Sequence, residues 1–175
     1  NDTLAGLVVT ADGEYGDKLR FIQNSVGSVL SPFDSWLTLR GIKTLGVRLE
    51  RQQENAIKIA EYLRKNEKVE RVYYVGLEDH KGYERSCKQA SGFGSMISFK
   101  LRDETYIEQV LSRLDLIFYA ESLGGVETLI TYPFTQTHAD IPQQIRDRLG
   151  VDERLLRLSV GIESYEAVSY THLTL

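Results

Sequence analysis

The sequence predicts an α/β fold: a small sheet of about four strands, mixed or antiparallel in order, with helices packed mainly on one face. Three observations lead there. Apolar residues recur at helical spacing from Leu45 to Leu63, short period-two alternations follow them, and a helix-like stripe of Ile107, Val110, Leu111 and Leu114 falls between two of those alternations.

The elements follow in order. Leu4 to Thr10 is an apolar run that reads as a buried strand, without the basic leader or small-residue cleavage site of a signal peptide. Ser31-Pro32-Phe33-Asp34 is a helix start: Ser31 caps free amides, Pro32 needs no donor at the first helical position, and Asp34 suits the positive end of the dipole. One long helix is expected over 31–65, bending near Gly41 or Gly46. Leu45, Leu49, Ala56, Ala60 and Leu63 form its stripe, and Arg48, Arg51, Glu54, Lys58 and Glu61 occupy its other faces. Strands are expected at Val69–Val75, Met96–Leu101, Glu127–Tyr132 and Leu155–Val160. Asp140-Ile141-Pro142 opens a short helix that ends at Gly150.

Composition narrows the partners. In 175 residues, 21 Lys+Arg face 25 Asp+Glu, a net charge of −4 with no basic cluster. That argues against nucleic acid and against an anionic membrane surface. With 42% hydrophobic and 26% charged residues the chain has enough apolar surface to fold, and no apolar run nears the roughly eighteen residues of a membrane span. A single cysteine, Cys87, cannot form an internal disulfide, and His80, His138 and His172 have no zinc-like spacing, so no metal is expected and a reducing cytoplasm fits.

Several residues carry candidate chemistry. Alternation in Leu155–Val160 puts Arg157 and Ser159 on one strand face and Leu156, Leu158 and Val160 on the other. Arg157 could hold a carboxylate through its planar fork, and a solvated strand arginine is the plainer reading. Glu121-Ser122-Leu123-Gly124-Gly125 permits a sharp turn or close approach to a ligand, and it is also ordinary loop composition. Gln136-Thr137-His138 is a polar trio with one titratable ring. Gly92-Phe93-Gly94 lacks the third glycine of a dinucleotide loop, and Cys87 has no base visible nearby.

Taken together and in order, these segments resemble a known family. Ala120–Glu127, Gln136-Thr137-His138 and Arg157–Glu163 look like the C-terminal part of the cysteine and methionine metabolism enzymes that use pyridoxal 5'-phosphate. Asn1–Val9 looks like the strand just after the cofactor lysine. Ser31–Leu37 with Arg40–Leu45 resembles the interdomain helix, and Gln89–Gly94 with Ser98-Phe99 extends the likeness over about residues 1–163. Thr131-Tyr132-Pro133, Thr135–His138 and Asp140-Ile141-Pro142 look most like bacterial cystathionine γ-synthases that also act as O-acetylhomoserine thiol-lyases.

The resemblance implies the small C-terminal domain of a fold-type I enzyme. Residues 1–30 would end the large cofactor domain, 31–65 would be the interdomain helix and 66–163 the C-terminal α/β domain. Arg157 would bind the substrate α-carboxylate, and Ser122 would sit beside the cofactor linkage and help orient that carboxylate. Glu121 would lie near the substrate's distal end, and Thr137 would support the arginine. The Schiff-base lysine would lie upstream of Asn1, Lys43 is not promoted to that role, and the chain would be inert alone.

The implied reaction is γ-replacement on an O-acyl-homoserine by cysteine or sulfide, with cystathionine as product and a homotetramer as the assembly. Cystathionine β- or γ-lyase is the alternative within the class, and a non-catalytic binding or assembly module is the alternative outside it. After Glu163 the pattern departs: residues 164–175, rich in β-branched and aromatic residues without helical periodicity, read as a non-native tail such as an assembly artefact. His172 therefore receives no role.

Overall fold

The structure, a computed structural model, describes residues 2–172. Asn1 and residues 173–175 of the expected tail lie outside the described residues, as do the side chains of residues 170–172, His172 among them. The chain divides into two compact units, residues 1–46 and 47–175.

Among the described residues the first unit holds two helices. α1 (Gly13–Val26) starts at Asp12, whose carboxylate accepts the Tyr15 N–H at 2.9 Å, and stops at Gly27, which takes a φ of 75°. α2 (Pro32–Ile42) has the expected start: the Ser31 hydroxyl accepts from the Asp34 N–H, and Pro32 occupies the first turn. The hydroxyls of Thr3 and Ser31 in turn donate to the Asp34 carboxylate at 2.7 and 2.8 Å and hold its pKa below the ordinary 3.8.

The run Leu4–Thr10 is not a strand. It has no paired neighbour among the described residues, and Leu4 and Leu7 are 95% and 89% exposed. An extended segment becomes a strand only where a second backbone takes up its N–H and C=O groups, and no described backbone does so here.

In place of one helix over 31–65 there are two. α2 ends at Ile42, and α3 spans Leu45–Lys65. The amides of Lys43 and Thr44 both turn back to the carbonyl of Gly41, a tight turn that ends the α-helical ladder at a residue with poor helix propensity. Leu45 and Leu49 of the expected stripe are exposed, whereas Gln52, Asn55, Ala56, Ile59, Ala60 and Leu63 are buried.

The second unit carries a mixed sheet of five strands, one more than expected: β1 (Val69–Tyr73), β2 (Met96–Leu101), β3 (Phe118–Tyr119), β4 (Leu129–Thr131) and β5 (Leu155–Ser159). The order is β1-β2-β5-β4-β3, antiparallel except for the parallel β3–β4 edge. The unexpected strand, β3, has only two residues, too few to show an alternation. Its ladder runs from the Phe118 N–H to the Thr128 carbonyl and from the Ala120 N–H to the Ile130 carbonyl.

Among the described residues four more helices complete the unit: α4 (Tyr83–Gln89), α5 (Thr105–Ser112), α6 (Gln143–Leu149) and α7 (Tyr165–His172). Ile97, Phe99, Leu101, Ile130, Leu156 and Leu158 present one sheet face to a core completed by Ile59 and Leu63 of α3, Ile107 and Val110 of α5 and Val168 of α7. α6 ends where expected, at Gly150 with a φ of 76°.

α7 corrects the reading of residues 164–175 as lacking helical order. The Ser164 hydroxyl accepts the Ala167 N–H at 3.2 Å, and Tyr165 and Val168, three apart, turn toward the core. No helix among the described residues is long and apolar enough to cross a membrane.

Candidate functional site

The sheet face opposite the core carries polar residues, and strand register decides which of them meet. Arg157 of β5 lies between Ser98 of β2 and Thr131 of β4, while Ser159 lies between Met96 and Leu129. Directly paired residues point the same way, so Ser98, Arg157 and Thr131 form one row across the sheet. The alternation Leu156, Leu158 inward and Arg157 outward thus sets a guanidinium on the face that the core does not use.

One nitrogen of that guanidinium is fixed by the protein. Nη2 of Arg157 donates to the backbone carbonyl of Glu121 at 2.8 Å and to Oγ1 of Thr131 at 3.1 Å. Thr131 can accept there because its own proton goes to the carbonyl of Ala120 at 2.7 Å. Nε of Arg157 is buried and has no partner among the described residues. A guanidinium has five donors, so a fork held by one nitrogen and bare at another is oriented for an incoming anion.

Two glycine-containing loops flank the arginine. In the first, Glu121–Gly125, Gly124 takes a φ of 75°, which a side chain would strain, and its N–H donates to the Ser159 hydroxyl at 2.8 Å. In the second, Gly161 follows the end of β5 so closely beside the segment leading into β4 that a Cβ there would clash with the Val126 carbonyl oxygen and the Glu163 carboxylate. Glu163 accepts from the Thr128 N–H and hydroxyl at 2.6 and 2.8 Å, and the Thr128 oxygen accepts the Gly161 N–H at 2.9 Å. The Ile162 N–H adds a bond to the Val126 carbonyl.

Helix α3 reaches both loops from the same face. Gln52 donates to the Gly125 carbonyl at 2.5 Å, and Asn55 donates to the carbonyls of Gly161 and Glu163 at 3.1 and 2.8 Å. Next to them Gln53 accepts the Phe93 N–H, so Gly92-Phe93-Gly94 serves as an anchored turn.

The structure brings Arg157 to the backbone of Glu121, with Ser122 next in the chain; both 121 and 122 are exposed residues. It does not give Arg157 the support expected from Thr137. The Thr137 hydroxyl pairs with Nδ1 of His138 at 2.8 Å, and the threonine that holds Arg157 is Thr131. Gln136, expected in a polar trio, accepts the Tyr132 N–H and closes the turn after β4. Cys87 lies exposed on α4, and Lys43 lies exposed between α2 and α3.

Gln52, Asn55, Thr128 and Glu163 escaped the sequence reading. A signal existed for the first two: they are polar residues lying between Leu49 and Ala56 along the apolar stripe.

At the β1 end of the same sheet, Lys100 meets Asp152 at 2.9 Å, and Arg154 bridges Asp152 and Glu70. Burial works to raise the Asp152 pKa, but hydrogen bonds from Lys100 and the Arg154 backbone and the Lys100 charge outweigh it and hold the carboxyl below its ordinary value.

Against known proteins, the model of the family described as "Cys/Met metabolism PLP-dependent enzyme" matches residues 1–170. The chain belongs to that family. A cystathionine β-lyase of Lactococcus lactis is 49% identical over 166 residues, 95% of this chain and 44% of that protein. A cystathionine γ-synthase of Haemophilus influenzae is 48% identical, over 96% of this chain and 41% of that protein. The chain therefore spans less than half the length of these relatives.

Among solved structures, cystathionine γ-lyase from Lactobacillus plantarum, complexed with L-serine, superposes with a TM-score of 0.88 at 39% identity. Cystathionine γ-synthase from Xanthomonas oryzae, in complex with aminoacrylate and cysteine, does so at 0.89 and 42%. Each comparison covers 94% of this chain and 43% of the other. The α/β fold is thus that of part of the family's fold-type I pyridoxal phosphate enzymes.

The gathered residues fit one portion of such a site. The unpartnered Nε of Arg157 calls for an acceptor, and a carboxylate oxygen of an amino acid supplies one.

Proposed function

We propose that the chain is the carboxylate-binding portion of a trans-sulfuration enzyme, acting in γ-replacement on O-acyl-homoserine by cysteine, or by sulfide, to form cystathionine. One observation carries the reading: a guanidinium oriented by the Glu121 carbonyl and Thr131, with a buried N–H left for an anion, beside a loop of two glycines. Pyridoxal phosphate, when bound, supplies an electron sink for charge released at the α-carbon. This chain's part is geometric. By holding the α-carboxylate, Arg157 fixes rotation about the bond to the α-carbon, so that the C–H to be broken is presented in one orientation. Ser122 assists that orientation, and Glu121 faces the distal end of the substrate.

The choice of a synthase rests on the motifs Thr131-Tyr132-Pro133, Thr135–His138 and Asp140-Ile141-Pro142. Lyase action on cystathionine is the second reading, favoured by the 49% identity to relatives named cystathionine β-lyase and cystathionine γ-lyase. In this proposal residues 1–30 end the cofactor domain, 31–65 connect it to the α/β domain of 66–163, the enzyme works in the cytoplasm as a homotetramer, and the Schiff-base lysine lies outside residues 1–175.

The test is an assay of the full-length protein, loaded with cofactor, beside the purified 175-residue chain. Cystathionine formed from acyl-homoserine and cysteine by the full-length protein alone supports the synthase. Pyruvate or oxobutyrate released from cystathionine supports a lyase. Turnover by the 175-residue chain by itself overturns the assignment of the lysine.

A further inference from the structure

The loop that fixes Arg157 has little packing of its own: residues 121–124 are exposed, and Gly124 and Gly125 offer no side chain to anchor it. Two side chains from regular elements hold it instead. Gln52, on α3, donates to the Gly125 carbonyl, and Ser159, on β5, accepts the Gly124 N–H. Gln52 is 2% and Ser159 1% exposed. Burying an amide at a position of α3 that faces the core costs free energy unless its groups are paired, and a leucine there would have extended the stripe. The amide instead meets a loop carbonyl that no strand partner satisfies.

We infer that Gln52, with Ser159, is a positioning residue for the anion bound by Arg157. The inference rests on the reading of Arg157 as the carboxylate clamp. The path is short. Gln52 and Ser159 set the backbone at Gly124-Gly125, that backbone sets the Glu121 carbonyl, and the carbonyl takes one of the two bonds from Nη2 of Arg157. Untied, a loop with two adjacent glycines gains conformations, the carbonyl moves, and the fork loses the orientation in which Nε–H meets a carboxylate oxygen. Asn55 has the matching place at the second loop, where it fixes the carbonyls of Gly161 and Glu163.

The experiment uses the full-length, cofactor-loaded protein and two probes, glycine and ethylamine, which share an amine and differ in the carboxylate. Calorimetric affinities are compared for wild type, Gln52→Met, Ser159→Ala and Arg157→Met, with the cofactor absorbance as a check on loading. Gln52→Met keeps length and volume, and Ser159→Ala removes one oxygen from the other tie, so a folding failure of the first leaves the second to decide.

Each positioning variant is expected to bind glycine about tenfold more weakly, the size of one lost hydrogen bond, with ethylamine affinity unchanged. If Arg157→Met weakens glycine while both positioning variants leave it unchanged, the inference falls and the clamp stands. If glycine and ethylamine weaken equally in the positioning variants, their role is merely structural and the inference falls. If Arg157→Met leaves glycine binding unchanged, the clamp itself is wrong and the inference goes with it.

Discussion

The two faces of the sheet are built from alternate residues of the same strands, yet they follow different rules. On the covered face, Ile97, Phe99, Leu101, Leu156 and Leu158 are wholly buried against α3 and its neighbouring helices, and any side chain of similar shape would serve. On the other face, Ser98, Lys100, Arg157, Thr131 and Ser159 occupy the intervening positions, and four of the five make directed bonds. The covered face supplies non-directional free energy, and the polar face supplies geometry. A substitution should therefore report which face it touches by whether it alters stability alone or ligand affinity as well.

The largest expected effect is on the covered face. Phe99→Ala removes a fully buried ring from the middle of β2 and should lower unfolding free energy by about 3–5 kcal/mol, measured by chemical denaturation. Ser98→Ala, one residue away and half-buried, should change it by less than about 0.5 kcal/mol. Equal losses at the two positions would erase the distinction between faces.

A smaller effect is expected at Thr131, where the distinction sharpens. Thr131→Val keeps the β-branched shape and removes both the acceptor for Arg157 and the donor to Ala120. One neutral side-chain bond and one to a partly exposed guanidinium are worth roughly 2–3 kcal/mol together, so stability should fall less than in Phe99→Ala. Glycine binding to the full-length protein should weaken as well, which Phe99→Ala should not cause in the fraction that stays folded. A Thr131→Val protein with lowered stability and unaltered glycine affinity would show that the Arg157 contact orients nothing.

Much of this was legible along the chain, and the exceptions share a cause. Strands β1, β2, β4 and β5, the start of α2 at Ser31-Pro32 and the end of α6 at Gly150 are written in alternation and capping chemistry, which act over a few residues. Leu4–Thr10 has the composition of a strand and pairs with no described residue, and β3 exists only through its pairing with β4. Both depend on partners that local pattern does not encode.

The site divides in the same way. Arg157 and the Glu121–Gly125 loop are ordinary by residue type alone and stand out through family likeness. That Thr131 would hold the arginine depends on the β4–β5 register, and that Gln52 and Asn55 would reach the loops depends on how α3 packs. Thr137, close to Thr131 in sequence, is turned toward His138 by the tight turns that follow β4.

An effect smaller than that at Thr131 tests whether charge on the polar face also carries stability. Asp152 bonds to Lys100 and Arg154, and its folded pKa lies below the ordinary 3.8. A depressed carboxyl stabilises the fold above its unfolded pKa, and that contribution is lost as pH falls through the folded value, because protonation then removes the charge that the native state favours. Asp152→Asn should thus be less stable than wild type near pH 6, by under about 1 kcal/mol since the group is partly exposed. The gap should begin to close only below pH 3.8 and should vanish in stronger acid, where both proteins are neutral at this position. Denaturation midpoints measured from pH 6 downward give the comparison. A gap that stayed constant through that range would mean that Asp152 acts by hydrogen-bond geometry, which asparagine disturbs at every pH, and that its charge contributes nothing.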